Sequence, residues 1–114
     1  MKLAEVKDIL HCEVLSGEDG ISMEIETVVA SDGMSEILAF ARPGAMMITG
    51  LTNIQSVRTA DIANVRAIIY IRGKRPAENA IRLAQEHRIP VLATDLGMFD
   101  VCGILRTRGL KGGM

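Results

Sequence analysis

Two short clusters in this chain combine glycine with residues suited to holding an anion: Thr49-Gly50-Leu51-Thr52-Asn53 and Arg72-Gly73-Lys74-Arg75. Glycine lets the backbone approach a ligand closely, a following helix N-terminus offers free N–H groups, and three basic side chains add positive potential. A third corner, Thr94-Asp95, carries a carboxylate able to accept from a ribose hydroxyl or a base donor. The chemistry expected is binding of an anion or phosphate, with Thr49, Gly50, Asn53, Arg72, Gly73, Lys74, Thr94 and Asp95 as the candidate ligand residues. A purely structural reading stands beside it, in which Gly50 and Gly73 permit tight turns and the basic residues are merely solvated. Asp32 is the other carboxylate expected at a strand end; either it or Asp95 could bind a ribose hydroxyl or a base donor, and for both helix capping is the more ordinary role.

Catalytic constellations are absent. There is no Gly-x-x-x-x-Gly-Lys-Ser/Thr loop and no Gly-x-Gly-x-x-Gly fingerprint, which excludes the familiar kinase and dehydrogenase sites. His11 adjoins Cys12, yet neighbouring strand residues point to opposite faces, so the pair is no ready-made dyad. His87 falls near a helix end, where a positive side chain meets the helix dipole. Cys-x-x-Cys and helically spaced metal ligands are missing, so neither a metal nor a cofactor is expected.

The elements that position the three corners follow from patterning. Ala45–Gly50, Ala67–Gly73 and Pro90–Asp95 are continuous apolar runs ending about 22 residues apart, room for one helix between successive strands. Parallel strands joined by such crossovers all end on one edge, where ligands of open α/β sheets collect. Helices are expected over Lys2–Leu10, Met34–Phe40, Ile54–Ala63 and Ala77–His87, with Asn53 as an N-cap, Pro76 in a first turn and Ile62 among the core contacts. Cys12–Leu15 reads as a brief strand, Ser16–Gly20 as a turn and Ile21–Ala30 as an edge or half-exposed strand. The last helix, Gly97–Leu105, is apolar around most of its circumference, so it is expected to meet a second subunit as well as its own sheet. The glycine-rich tail, residues 109–114, reads as flexible.

At 114 residues the chain is expected to form one domain, α/β in class, with a mostly parallel sheet flanked by helices, an N-terminal helix and a short strand or hairpin segment. Only three residues are aromatic, so Ile, Val, Leu, Ala and seven Met must build the core. No apolar stretch reaches the roughly 20 residues of a membrane span and the first residues alternate charge, so a cytoplasmic protein without membrane contact is expected. Cys12 and Cys102 read as reduced and buried. Residues 1–57 carry nine acidic and three basic side chains, residues 58–114 five and ten. That asymmetry fits either a basic binding face or two halves that attract within the fold or across a dimer. A net charge of −1 argues against nucleic acid as a partner.

From Ser31 to Leu105 the chain resembles a DRTGG domain, the α/β module found beside CBS domains and similar to the N-terminal domain of HPr kinase/phosphorylase. The resemblance rests on Thr49-Gly50 with Asn53-Ile54-Gln55, on Ile69-Tyr70-Ile71-Arg72-Gly73-Lys74-Arg75-Pro76, and on Leu83-Ala84 leading to Ile89-Pro90-Val91-Leu92-Ala93-Thr94. The N-terminal helix and Glu13–Gly17 fit the same arrangement, so nearly the whole chain is covered. The naming motif is altered: Leu51 and Thr52 stand where the Asp-Arg pair would fall, and Arg72-Gly73-Lys74 where the Thr-Gly-Gly run would fall. The resemblance implies a regulatory or sensory module, usually dimeric and without catalysis of its own. The function expected is therefore a homodimeric, non-enzymatic module that binds a small anionic or nucleotide-like ligand at the strand ends. The alternative is a protein-interaction module or dimerisation scaffold that takes no small ligand, with the last helix and the basic half docking a partner protein.

Overall fold

The computed structural model describes all 114 residues, Met1 to Met114. Helices α1 (Leu3–Ile9), α2 (Met34–Phe40), α3 (Ile54–Ile62), α4 (Glu78–Glu86) and α5 (Met98–Thr107) alternate with strands β1 (Glu13–Ser16), β2 (Thr27–Ala30), β3 (Met46–Thr49), β4 (Ala67–Tyr70), β5 (Val91–Ala93) and β6 (Lys111–Gly112). The strands form one sheet in the order β1-β5-β4-β3-β2-β6, with β1 antiparallel to β5 and every other pair parallel.

The central strands are apolar without interruption because both faces are covered. Successive side chains still alternate between the two layers. Met46, Ile48, Ala67, Ile69 and Leu92 join the core beneath α1 and α5. Met47, Ile68, Tyr70 and Val91 join the core beneath α2, α3 and α4. From β2 to β5 each connection steps one strand along the sheet through a helix on the second face. The connection from β5 to β6 travels back across the sheet, and a crossover of unchanged hand must then pass over the opposite face, where α5 lies.

Four local expectations give way to long-range contacts. Only Thr27–Ala30 of the segment 21–30 enters the sheet, and it lies inside, between β3 and β6. Residues before it pair with the start of α1 instead, Leu3 N–H donating to the Met23 carbonyl at 2.9 Å and Ala4 N–H to the Ile21 carbonyl at 2.8 Å. The tail is not loose: Lys111 N–H donates to the Glu26 carbonyl at 3.1 Å and Gly113 N–H to the Val28 carbonyl at 2.9 Å, while Leu110 is buried. Ile62 is 68% exposed, because α3 ends there and turns its last apolar side chain away from the sheet. Pro76 precedes the α4 cap residue Ala77 rather than occupying the first turn, since Ala77 N–H is held outward by the Thr52 carbonyl at 3.0 Å.

Candidate ligand site at the strand ends

Parallel register places the three corners on one rim. Thr49 stands opposite Tyr70, and Tyr70 opposite Ala93, so Thr49-Gly50, Arg72-Gly73 and Thr94-Asp95 follow side by side. Beyond β4 the chain folds back through two consecutive left-handed residues, Arg72 at φ +58° and Gly73 at φ +68°. That conformation is uncommon for arginine and is found disproportionately at functional sites. It lets Arg72 N–H reach the Leu96 carbonyl at 2.8 Å and Gly73 N–H reach the Thr94 carbonyl at 2.9 Å. The second and third corners are thereby fastened together through their backbones.

Asp32, at the end of β2, fastens the first corner. Its Oδ1 accepts from Gly50 N–H at 2.7 Å and from the Thr49 hydroxyl at 3.2 Å, and its Oδ2 lies 3.6 Å from Arg72 Nη2. A β-carbon on Gly50 would collide with that Arg72 nitrogen, so glycine is what allows the guanidinium to lie across the strand end. Asp32 is not a helix cap: Gly33 occupies that position, and Ser31 Oγ accepts from Gly33 N–H at 2.9 Å. The Gly50 N–H bond is the main reason the Asp32 carboxyl titrates below its ordinary value of 3.8; partial burial opposes it, and Thr49 and Arg72 add to it. A carboxyl with a depressed folded-state pKa stabilises the fold above its unfolded pKa, and that contribution is lost as pH falls through the folded value. Urea unfolding at pH 7 and at pH 3 should therefore show a larger acid-induced loss of stability in the wild-type chain than in Asp32→Asn. Equal losses would remove Asp32 as a brace of the rim.

Several candidate ligand groups are already engaged inside the fold. The Thr49 hydroxyl, fully buried, also accepts from Leu51 N–H at 3.1 Å. Asn53 caps α3, its Oδ1 accepting from Gln55 N–H at 3.1 Å. The Thr94 hydroxyl donates to the Leu10 carbonyl at 2.7 Å and accepts from Leu96 N–H at 3.3 Å, tying α1 to the rim. Gly50 and Gly73 likewise have occupied N–H groups; Asn53 is exposed but engaged as a cap, so the charged candidate groups facing solvent are the side chains of Arg72, Lys74 and Asp95. Beside them a depression of about 120 Å³ is lined by His11, Glu13, Gly73, Arg75, Ala93 and Asp95. Glu13 forms an ion pair with Arg75 there. Sequence reasoning missed Asp32 as a brace, and it weighed His11 only beside Cys12 and placed neither His11 nor Glu13 at the rim; only the antiparallel placement of β1 beside β5 brings these two to this edge.

No nucleophile is prepared. Burial pushes the Cys12 thiol up to about 12 and raises that of Cys102 as well, away from the reactive thiolate. His87 ends α4 and its Nδ1 sits 3.3 Å from Asp61 Oδ1. No set of three His, Cys, Asp or Glu side chains converges for a metal. A larger groove of about 280 Å³ lies between α5 and the β2–β6 edge, but its lining is mostly apolar and includes none of the candidate ligand residues.

An α/β sheet with its polar groups gathered at the strand ends defines a class of fold with a candidate site rather than one reaction. The DRTGG domain family model matches residues 5–107, and the chain belongs to that family. DRTGG domains are regulatory modules, and no catalytic family is indicated. No curated protein matches the chain. Among solved structures it is similar to the CBS and DRTGG domains of the regulatory region of Clostridium perfringens pyrophosphatase, complexed with the activator diadenosine tetraphosphate. The TM-score is 0.79 at 20% sequence identity, over 96% of this chain and 47% of that one. The chain thus spans about half of that regulatory region, and at this identity the likeness establishes the shared fold.

Proposed function

We propose that this chain is a cytoplasmic, homodimeric sensory module that binds a small anionic, nucleotide-like ligand at the strand ends and passes the change to a partner protein. The observation that carries the reading is the Arg72 guanidinium, laid across Gly50 and held by a single side-chain partner, Asp32, at 3.6 Å. Both side chains are about half exposed, at 44% and 51%, so their attraction is weak and a ligand phosphate can take the guanidinium in a bidentate grip. Lys74 adds a second cation, and Asp95 offers an acceptor for a sugar hydroxyl. Support for the ligand class comes from the similar regulatory region, which was crystallised with a dinucleotide activator.

The test is a thermal-stability titration with diadenosine tetraphosphate, ATP, AMP and inorganic phosphate. A ligand at 100 times its dissociation constant adds about 2.7 kcal/mol of stability. An unmoved transition across this panel would overturn the reading. Phe99, at 90% exposure on α5, favours one other possibility, a module that docks a partner protein without any small ligand. In that case the rim substitutions would leave partner binding unchanged while changes at Phe99 abolish it.

A further inference from the structure

Each rim glycine makes room for a charged side chain that comes from the neighbouring corner. A β-carbon on Gly50 would collide with the Arg72 guanidinium, and one on Gly73 would stand 3.1 Å from Asp95 Oδ1. Arg72 therefore lies over the end of β3, and the Asp95 carboxylate lies over the turn that follows β4. Neighbouring strands are about 4.8 Å apart, so one small ligand can touch both charges.

The carboxylates of the rim are not equivalent. Asp32 takes Gly50 N–H and Arg72, and Glu13 takes Arg75. Asp95 is exposed and belongs to none of the chain's five ion pairs. It stands with His11 and the Glu13–Arg75 pair around the depression of about 120 Å³, smaller than the roughly 300 Å³ at which pockets enclose a whole ligand. Such a depression takes one end of a molecule whose other end is held elsewhere.

We infer that Asp95 sets the specificity of the strand-end site: it selects a phosphate ester that carries hydroxyls, the sugar phosphate of a nucleotide, over bare inorganic phosphates. This rests on the strand-end reading above and names what that site discriminates. A carboxylate accepts hydrogen bonds and donates none, so it suits sugar hydroxyls, whereas a second phosphate beside it meets like charge. With the phosphate on Arg72, the sugar falls toward Asp95 across Gly73, which offers no side chain to obstruct it. The reverse orientation would set the phosphate against the one unpaired carboxylate of the rim.

Isothermal titration calorimetry on the whole chain compares AMP, 2′,3′-dideoxyadenosine 5′-monophosphate and inorganic pyrophosphate, with circular dichroism confirming the fold of each variant. The wild-type chain should bind AMP at least tenfold more tightly than the dideoxy analogue, the loss expected when hydrogen bonds to a charged acceptor disappear. Asp95→Ala should reduce that ratio below twofold, and Asp95→Asn should strengthen pyrophosphate binding at least threefold. A hydroxyl preference that persists in Asp95→Ala, or pyrophosphate binding unmoved in Asp95→Asn, would overturn the inference. So would equal binding of AMP and its dideoxy analogue, which leaves the strand-end reading standing if Arg72→Ala weakens both. No binding by any of the three would overturn that reading as well.

Discussion

Replacing Arg72 and Lys74 together by alanine is expected to weaken binding of diadenosine tetraphosphate at least 100-fold while leaving the fold intact. Each hydrogen bond from a charged donor to a phosphate contributes on the order of 1.5–3 kcal/mol, so losing two removes about 3 kcal/mol or more. Stability should change little, because both side chains are solvent-exposed and the fold gives up nothing beyond the 3.6 Å approach of Arg72 to Asp32. Arg72→Gly makes a sharper companion. It removes the guanidinium yet suits the φ of +58° at this position, so it should lose the Arg72 share of the binding, about tenfold or more, without losing thermal stability. Isothermal titration calorimetry reads the affinity directly, and a change below threefold in the double variant would move the ligand away from this corner of the rim.

A second large effect is expected far from the ligand. Gly17→Ala should destabilise the chain by about 3 kcal/mol, a fall in Tm on the order of 10 °C. Gly17 adopts φ +78°, and a β-carbon there would stand 2.7 Å from Pro90 Cα. The left-handed conformation costs an alanine about 1–2 kcal/mol. The remaining cost arises because the obstruction is backbone rather than a movable side-chain tip, so the join between β1 and β5 must shift. Gly44→Ala separates the two contributions: it has φ +93° but open space around the β-carbon position, and should show only the conformational part. Urea denaturation of both variants checks the ordering, and equal losses would show that Pro90 yields at little cost. Because β1 carries Glu13 to the rim, Gly17→Ala should also loosen the depression beside Asp95.

Most of the architecture was legible in the residues. The apolar runs at 45–50, 67–73 and 90–95 announced buried parallel strands, and Met34–Phe40 forms the helix expected there, with Gly33 rather than Asp32 at its N-cap. The common rim followed, since parallel strands leave no other place for Gly50, Gly73 and Asp95. What each rim residue does was far less visible. Thr94 carries the same hydroxyl whether it faces a ligand or the Leu10 carbonyl, and only the position of α1 decides between them.

The chain's own pattern of residues thus determined the strand–helix rhythm, the two-sided burial of the sheet and the edge at which polar groups gather, because each of these is a consequence of local periodicity. Tertiary structure alone decided that Glu13–Ser16 runs antiparallel beside β5, that Lys111–Gly112 closes the other edge, and that Asp32 reaches across to Gly50 and Arg72. Those arrangements depend on backbone N–H and C=O groups, which every residue but proline carries alike. Side-chain types therefore leave little trace of which distant strand a segment will join.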